Sequence, residues 1–302
     1  MSSLRALIAA LLLPLLLLGG GTPDALAAPH ARALTPWRYA RRAERRRHRF
    51  GKKRDPRVNV AAVNRRLERL AAKHPDLIKL TALTHIDGDP IYRVDISGDK
   101  QAKRMLVTAG VHGNETTGVV TAMDLIERAV RDGGLRGRAQ LTVIPLINPS
   151  GVRLGQRYSR NRKDVNRTFR PGQWMAESKA VAASIAGERY ALAIDLHGAA
   201  KKGFFLIRGK EDRGMSSRIL SAMSTGLLLG GRRFSADQGE YRLDAPGAAT
   251  SNNPGTLKGF FVEQNADYAY TLEYSRHLGV SQQRRGLMRL LRSAIDNVAA
   301  HR

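Results

Sequence analysis

Hydrophobic and polar positions along this chain follow two periods. Val60, Val63, Leu67 and Leu70 recur at helical spacing and predict a helix from Val58 to Lys73, closed by His74-Pro75. The same period predicts helices from Thr116 to Val130, Ala176 to Ala186, Met215 to Leu229, Thr256 to Gln264 and Ser281 to Ala300. Alternating or short apolar runs predict strands from Ile91 to Ile96, Met105 to Val111, Leu141 to Ile147, Tyr190 to Leu196, Gly203 to Ile207 and Tyr268 to Leu272. Strands alternating with helices predict an α/β fold: a single domain with a mixed, largely parallel sheet flanked by helices.

Ahead of the first helix the pattern changes. Arg5, the apolar run Ala6 to Leu18 and Ala25-Leu26-Ala27 read as a signal peptide over residues 1–27, and imply export to the periplasm or medium. The run is shorter than the roughly 20 residues of a membrane span. Residues 28–57 read as a basic arm. Positions 32–54 hold eleven Lys/Arg and one acid, Glu44, among Trp37, Tyr39 and Phe50. That arm is either an adhesive for an anionic cell-envelope surface or a solvated linker. The remainder, 58–302, is expected to be one catalytic domain.

Composition narrows the chemistry. The 302 residues include no cysteine, which excludes disulfides, thiolate-bound metal and cysteine nucleophiles. Lys and Arg number 51 against 26 Asp and Glu, a net charge of +25. The arm holds about +10 of this, so the body is basic too. An anionic partner is implied, although export makes a specific nucleic-acid target a poor fit.

No G-x-S-x-G elbow, P-loop, H-E-x-x-H or G-x-G-x-x-G is present. Instead, three predicted strands end in metal- or proton-competent side chains: His112 and Glu115 after the first, His197 after the second, Glu273 after the third. Carboxyl ends of strands in an open α/β sheet line one crevice. Two imidazoles and a carboxylate suit a catalytic zinc ion with a position open for water, which leaves Glu273 to act as the base.

These residues resemble the zinc carboxypeptidase superfamily, including its succinylglutamate desuccinylase and aspartoacylase branch. The resemblance rests on His112-x-x-Glu115, Asn148-Pro149-Ser150-Gly151, Gly155-Gln156-Arg157, Asp164-Val165-Asn166-Arg167, Asp195-Leu196-His197, Pro254-Gly255-Thr256-Leu257 and Thr271-Leu272-Glu273, and spans roughly residues 58–300. It implies one zinc ion per chain on His112, Glu115 and His197, with Glu273 as general base. It implies that Arg157 polarises the scissile carbonyl, with Arg160 and Arg162 as fallbacks. Asn166 and Arg167 would hold a substrate carboxylate, and Lys258, fifteen residues before Glu273, would face an acidic side chain.

The implied activity is hydrolysis of a C-terminal peptide or isopeptide bond, with acidic or cell-wall peptides as candidate substrates. The partner is a peptide or acylated amino acid with a free carboxylate. An N-acyl-amino-acid deacylase and a non-catalytic envelope binder are the alternatives. Two departures stand out. Residues 250–253 lack the Tyr that carboxypeptidases usually place there, with Tyr241 farther upstream, and only 29 residues follow Glu273.

Overall fold

A computed structural model describes residues 55–209, 212, 214–236, 239–251, 253–264 and 266–301. The expected signal peptide and nearly all of the basic arm lie outside the described residues. Asp55 and Pro56 already contact the domain. Asp55 accepts a hydrogen bond from the Tyr274 hydroxyl and pairs with Arg276 Nε at 2.8 Å, and the Pro56 carbonyl accepts from Thr116 Oγ1 at 2.5 Å.

Among the described residues the helices are α1 (Val60–Lys73), α2 (Thr116–Arg131), α3 (Gly133–Arg138), α4 (Pro149–Leu154), α5 (Ala176–Ile185), α6 (Met215–Leu220), α7 (Leu257–Glu263) and α8 (Val280–Ala300). The strands are β1 (Ile78–Ile86), β2 (Asp89–Ile96), β3 (Lys103–Ala109), β4 (Ala139–Ile144), β5 (Leu192–Ala199), β6 (Phe205–Arg208), β7 (Arg233–Ala236), β8 (Gly239–Ala245), β9 (Ala248–Thr250) and β10 (Tyr268–Ser275). No helix among the described residues is long and apolar enough to cross a membrane.

The strands form one sheet in the order β1-β2-β4-β3-β5-β10-β6-β9-β8-β7. The mixed α/β single-sheet expectation holds. Its parallel part is central, running β4-β3-β5-β10, with β6 and β9 parallel farther out; the remaining pairs are antiparallel. The β1–β2 hairpin, missing from the sequence prediction, turns through Asp87 (φ 51°) and Gly88 (φ 84°). An Asp-Gly pair with both φ positive suits a tight turn that matches strand twist. The helix expected from Met215 to Leu229 stops at Leu220, and only a 3-10 turn at Thr225–Leu227 follows. Gly226 and the serines around it favour turns over continuation of the helix.

Pleating sends alternate side chains to opposite faces. Met105, Val107 and Ala109 of β3, with Leu192, Ile194 and Leu196 of β5, pack against α2 and α8. Leu106 and Ala193 instead join Val181 and Ile185 of α5 and Leu257, Phe260 and Phe261 of α7. By the same alternation, Asp195, His197, Thr271 and Glu273 belong to this second face.

Candidate metal centre

His112 does not fall at random after β3. Ile147 N and Asn148 N donate to the carbonyls of Ala109 and Gly110 at 3.1 and 2.9 Å, and Asn148 Nδ2 donates to Val111 O at 3.3 Å. The same Asn148 caps α4 by accepting from Gly151 N at 2.8 Å. Gly113 then lies against Gly151, where a Cβ would sit 2.0 Å from the Gly151 carbonyl carbon. Only a residue without a side chain allows this approach. The Asn148-Pro149-Ser150-Gly151 motif therefore holds the His112–Glu115 loop from beneath.

Ligating atoms of three side chains converge there. His112 Nδ1 is 3.0 Å from Glu115 Oε1, His197 Nδ1 is 3.0 Å from Glu115 Oε2, and the two Nδ1 atoms are 3.1 Å apart. All three side chains are buried, and they form a group able to hold one ion. Two imidazole nitrogens and one carboxylate are the donor set of a catalytic zinc site, so the residues present fit that ion. Burial acts to raise the Glu115 carboxyl, but facing His112 and His197 hold it well below the usual carboxylate range.

Each imidazole uses its other nitrogen on a carboxylate. His197 Nε2 is 2.5 Å from Asp195 Oδ2, and His112 Nε2 is 3.2 Å from Asp164 Oδ1. This pairing fixes ring orientation and leaves both Nδ1 atoms for a metal. Asp195 is itself held by Thr108 Oγ1 at 2.8 Å. Asp164 and Asp195 stand in the sequence motifs without an expected role. The spacing Asp195-x-His197 on a strand, which puts both on one face, was the available signal.

The structure also moves two strand ends. The expected strands stopped at Leu196 and Leu272, yet β5 runs to Ala199 and β10 to Ser275. His197 and Glu273 therefore lie inside neighbouring parallel strands and are direct register partners. Glu273 is half-buried, and burial pushes its carboxyl up to about 8; Glu115 and Asp195 add to the rise, while His197 and Arg157 oppose it. Behind this pair Gly198 allows the Tyr274 ring to pack where a Cβ would be 2.3 Å from the ring.

Arg157 joins the cluster. Its Nε and Nη2 donate to Asp164 Oδ2 at 3.1 and 3.0 Å, and its Nη1 lies 3.5 Å from Glu115 Oε1. Asp164 is held well below the usual carboxylate range: burial opposes ionisation, but His112, Arg157 and Arg167 outweigh it. Arg160, the fallback, instead pairs with Asp87 at 3.2 Å on an exposed surface, and Arg162 is exposed too.

Asn166 and Arg167 form a 3-10 turn beside Asp164. Asn166 Oδ1 accepts from Leu257 N at 2.8 Å, which ties this turn to the start of α7. Lys258 follows immediately. It is buried, donates to the Ser251 carbonyl, and is pulled down to about 8 by burial. Tyr241 is close to Asn253 in space despite its distance in sequence. Its hydroxyl accepts from Asn253 Nδ2 at 3.0 Å, and its buried ring stacks on Phe234 with centroids 5.1 Å apart.

Comparison with known proteins agrees with this geometry. Residues 101–302 match the model of the succinylglutamate desuccinylase/aspartoacylase catalytic domain. A succinylglutamate desuccinylase of Pseudomonas syringae pv. tomato is 33% identical over 144 residues, which is 41% of this chain and 42% of that protein. The match thus spans less than half of that relative's length. Among solved structures, carboxypeptidase A from Helicoverpa armigera superposes with a TM-score of 0.63 at 14% identity, covering 85% of this chain and 78% of that one. Bovine thrombin-activatable fibrinolysis inhibitor, solved with tick carboxypeptidase inhibitor, gives 0.62 at 14% identity, covering 82% and 97%. These likenesses establish the shared fold. The chain belongs to the succinylglutamate desuccinylase/aspartoacylase catalytic-domain family.

Proposed function

We propose that the protein is a zinc-dependent metallocarboxypeptidase that cleaves an amide bond next to a residue with a free carboxylate. The observation that carries this reading is the register pairing of Glu273 with His197, which puts a carboxyl outside the ligand triangle yet beside it. His112, Glu115 and His197 would hold the ion. Bound there, a divalent ion supplies Lewis-acid polarisation of the carbonyl and acidifies water.

The chain's own residues supply the rest. Glu273 takes the proton of the attacking water and returns it to the leaving amine. Such a base must be ionised, and the positive charge of a bound ion lowers the carboxyl that burial has raised. Arg157, braced by Asp164, directs a guanidinium toward the cluster and stabilises the developing oxyanion. The Asn166 amide and Arg167 hold the substrate carboxylate, a planar anion suited to the guanidinium fork. Lys258 favours an acidic side chain on the released residue. Export, and cell-wall peptides as the physiological substrate, remain part of this proposal on the strength of the N-terminal pattern and the basic body.

A second reading is favoured by the family match itself: an N-acyl-amino-acid deacylase, as in the Pseudomonas syringae relative. A substrate panel separates the two. Peptides ending in glutamate, the same peptides with an amidated terminus, and N-succinylglutamate are offered to the zinc-loaded protein. Carboxypeptidase action requires cleavage of the first and loss of the second. Faster turnover of N-succinylglutamate than of any peptide overturns that reading in favour of the deacylase.

A further inference from the structure

Across the sheet from the metal centre, the outer surface of α2 and α8 carries a groove of about 840 Å³. It shares no residue with the site. Arg128 and Arg131 of α2 line it together with Arg284, Arg285, Arg289 and Arg292 of α8.

The acids in this groove are already engaged. Asp124 pairs with Arg284 at 2.7 Å, Asp296 pairs with Arg138 at 3.1 Å, and Glu127 pairs with Arg66. Arg66 and Arg138 come from outside the lining. Five guanidinium groups, on Arg128, Arg131, Arg285, Arg289 and Arg292, therefore have no carboxylate partner among the described residues. Four of them are exposed, and Arg128 is half-buried.

Their arrangement is not that of scattered surface charge. Arg285, Arg289 and Arg292 lie at i, i+4 and i+7, on one side of α8 along about 10 Å of its axis. Arg128 and Arg131 lie at i and i+3 on α2. Like charges at such spacings repel, and an oligoanion between the two rows relieves that repulsion. Guanidinium forks bind phosphate oxygens in pairs. The lining contains no aromatic side chain, so it offers no platform for stacking bases. A groove rather than a plane suits a strand better than a membrane surface.

We infer that the α2–α8 groove binds a linear, phosphate-bearing polyanion through its charge. The occupant is a strand held by Arg128 and Arg131 on one wall and Arg285, Arg289 and Arg292 on the other.

The test uses the full chain and long-chain inorganic polyphosphate, with affinity measured across a salt series. The variant R285Q/R289Q/R292Q is compared with R65Q/R69Q/R232Q, which removes the same charge from exposed arginines outside the groove. Expected are an affinity loss of at least about tenfold and a salt slope shallower by about two, both in the groove variant alone. Hydrolytic activity should be unchanged. R285K/R289K/R292K, which keeps the charge, should restore most of the binding and guards against a folding defect in the glutamine variant. Equal losses in the two glutamine variants would overturn the inference, because binding would then follow net charge alone. So would phosphatidylglycerol vesicles whose binding falls in the groove variant while that of polyphosphate does not.

Discussion

Asp195 and His197 stand two residues apart on β5, turn to the same face, and meet with Asp195 Oδ2 2.5 Å from His197 Nε2. The contact leaves His197 Nδ1 as the nitrogen aimed at Glu115 and His112. Asp195→Asn should keep the fold and weaken zinc affinity by about 10–100-fold. Competition with a chelator of known affinity measures it.

Asp164 is shared between His112 and Arg157, so its loss should act twice. Asp164→Asn is expected to weaken zinc binding and also to lower kcat by about tenfold or more in enzyme saturated with zinc. Asp195→Asn should recover near wild-type kcat once zinc is in excess. Steady-state kinetics at rising zinc concentration separate the two variants.

Gly113 meets the Gly151 backbone, where an added Cβ would be 2.0 Å away. Backbone cannot rotate aside as a side chain can. Gly113→Ala should cost about 1–3 kcal/mol of stability and displace His112 from the cluster. Denaturant melting together with metal content checks both consequences.

Lys258 is held to about 8 by burial, below its ordinary 10.5. Between those values the folded protein binds fewer protons than the unfolded chain, so stability rises with pH across that window. Lys258→Met should remove the rise. If the ammonium faces the substrate, preference for a glutamate over a leucine terminus should fall as pH passes about 8 in the wild type, and be absent in the variant. The ratio of kcat/KM for the two peptides against pH gives the answer.

Much of the centre was legible in the sequence because its ligands sit in short, ordered motifs beside strongly apolar strands. The pattern assigns His112, Glu115, His197 and Glu273 to the carboxyl ends of three strands, but that β3, β5 and β10 are neighbours emerges only from the sheet order. The supporting residues were harder to find. Nothing local shows that Asn148 reaches back to Val111, or that Gly113 must touch Gly151, since both depend on two loops meeting in space. Tyr241 looked too distant for the 250–253 segment because it meets Asn253 only in three dimensions. Strand β1 escaped notice because it is only partly buried and lacks clean alternation, although Asp87-Gly88 marked its turn. The arginine groove needed the packing of α2 beside α8, which neither helix shows separately.

His112, Glu115 and His197 would hold a zinc ion, and Glu273 would act as base on the attacking water. Metal content and peptide hydrolysis of the wild type and Glu273→Gln test both roles together. Both proteins should carry about one zinc per chain, with turnover lower by at least about a hundredfold in the variant. Undiminished hydrolysis by the metal-stripped wild type, or by Glu273→Gln, would contradict the account.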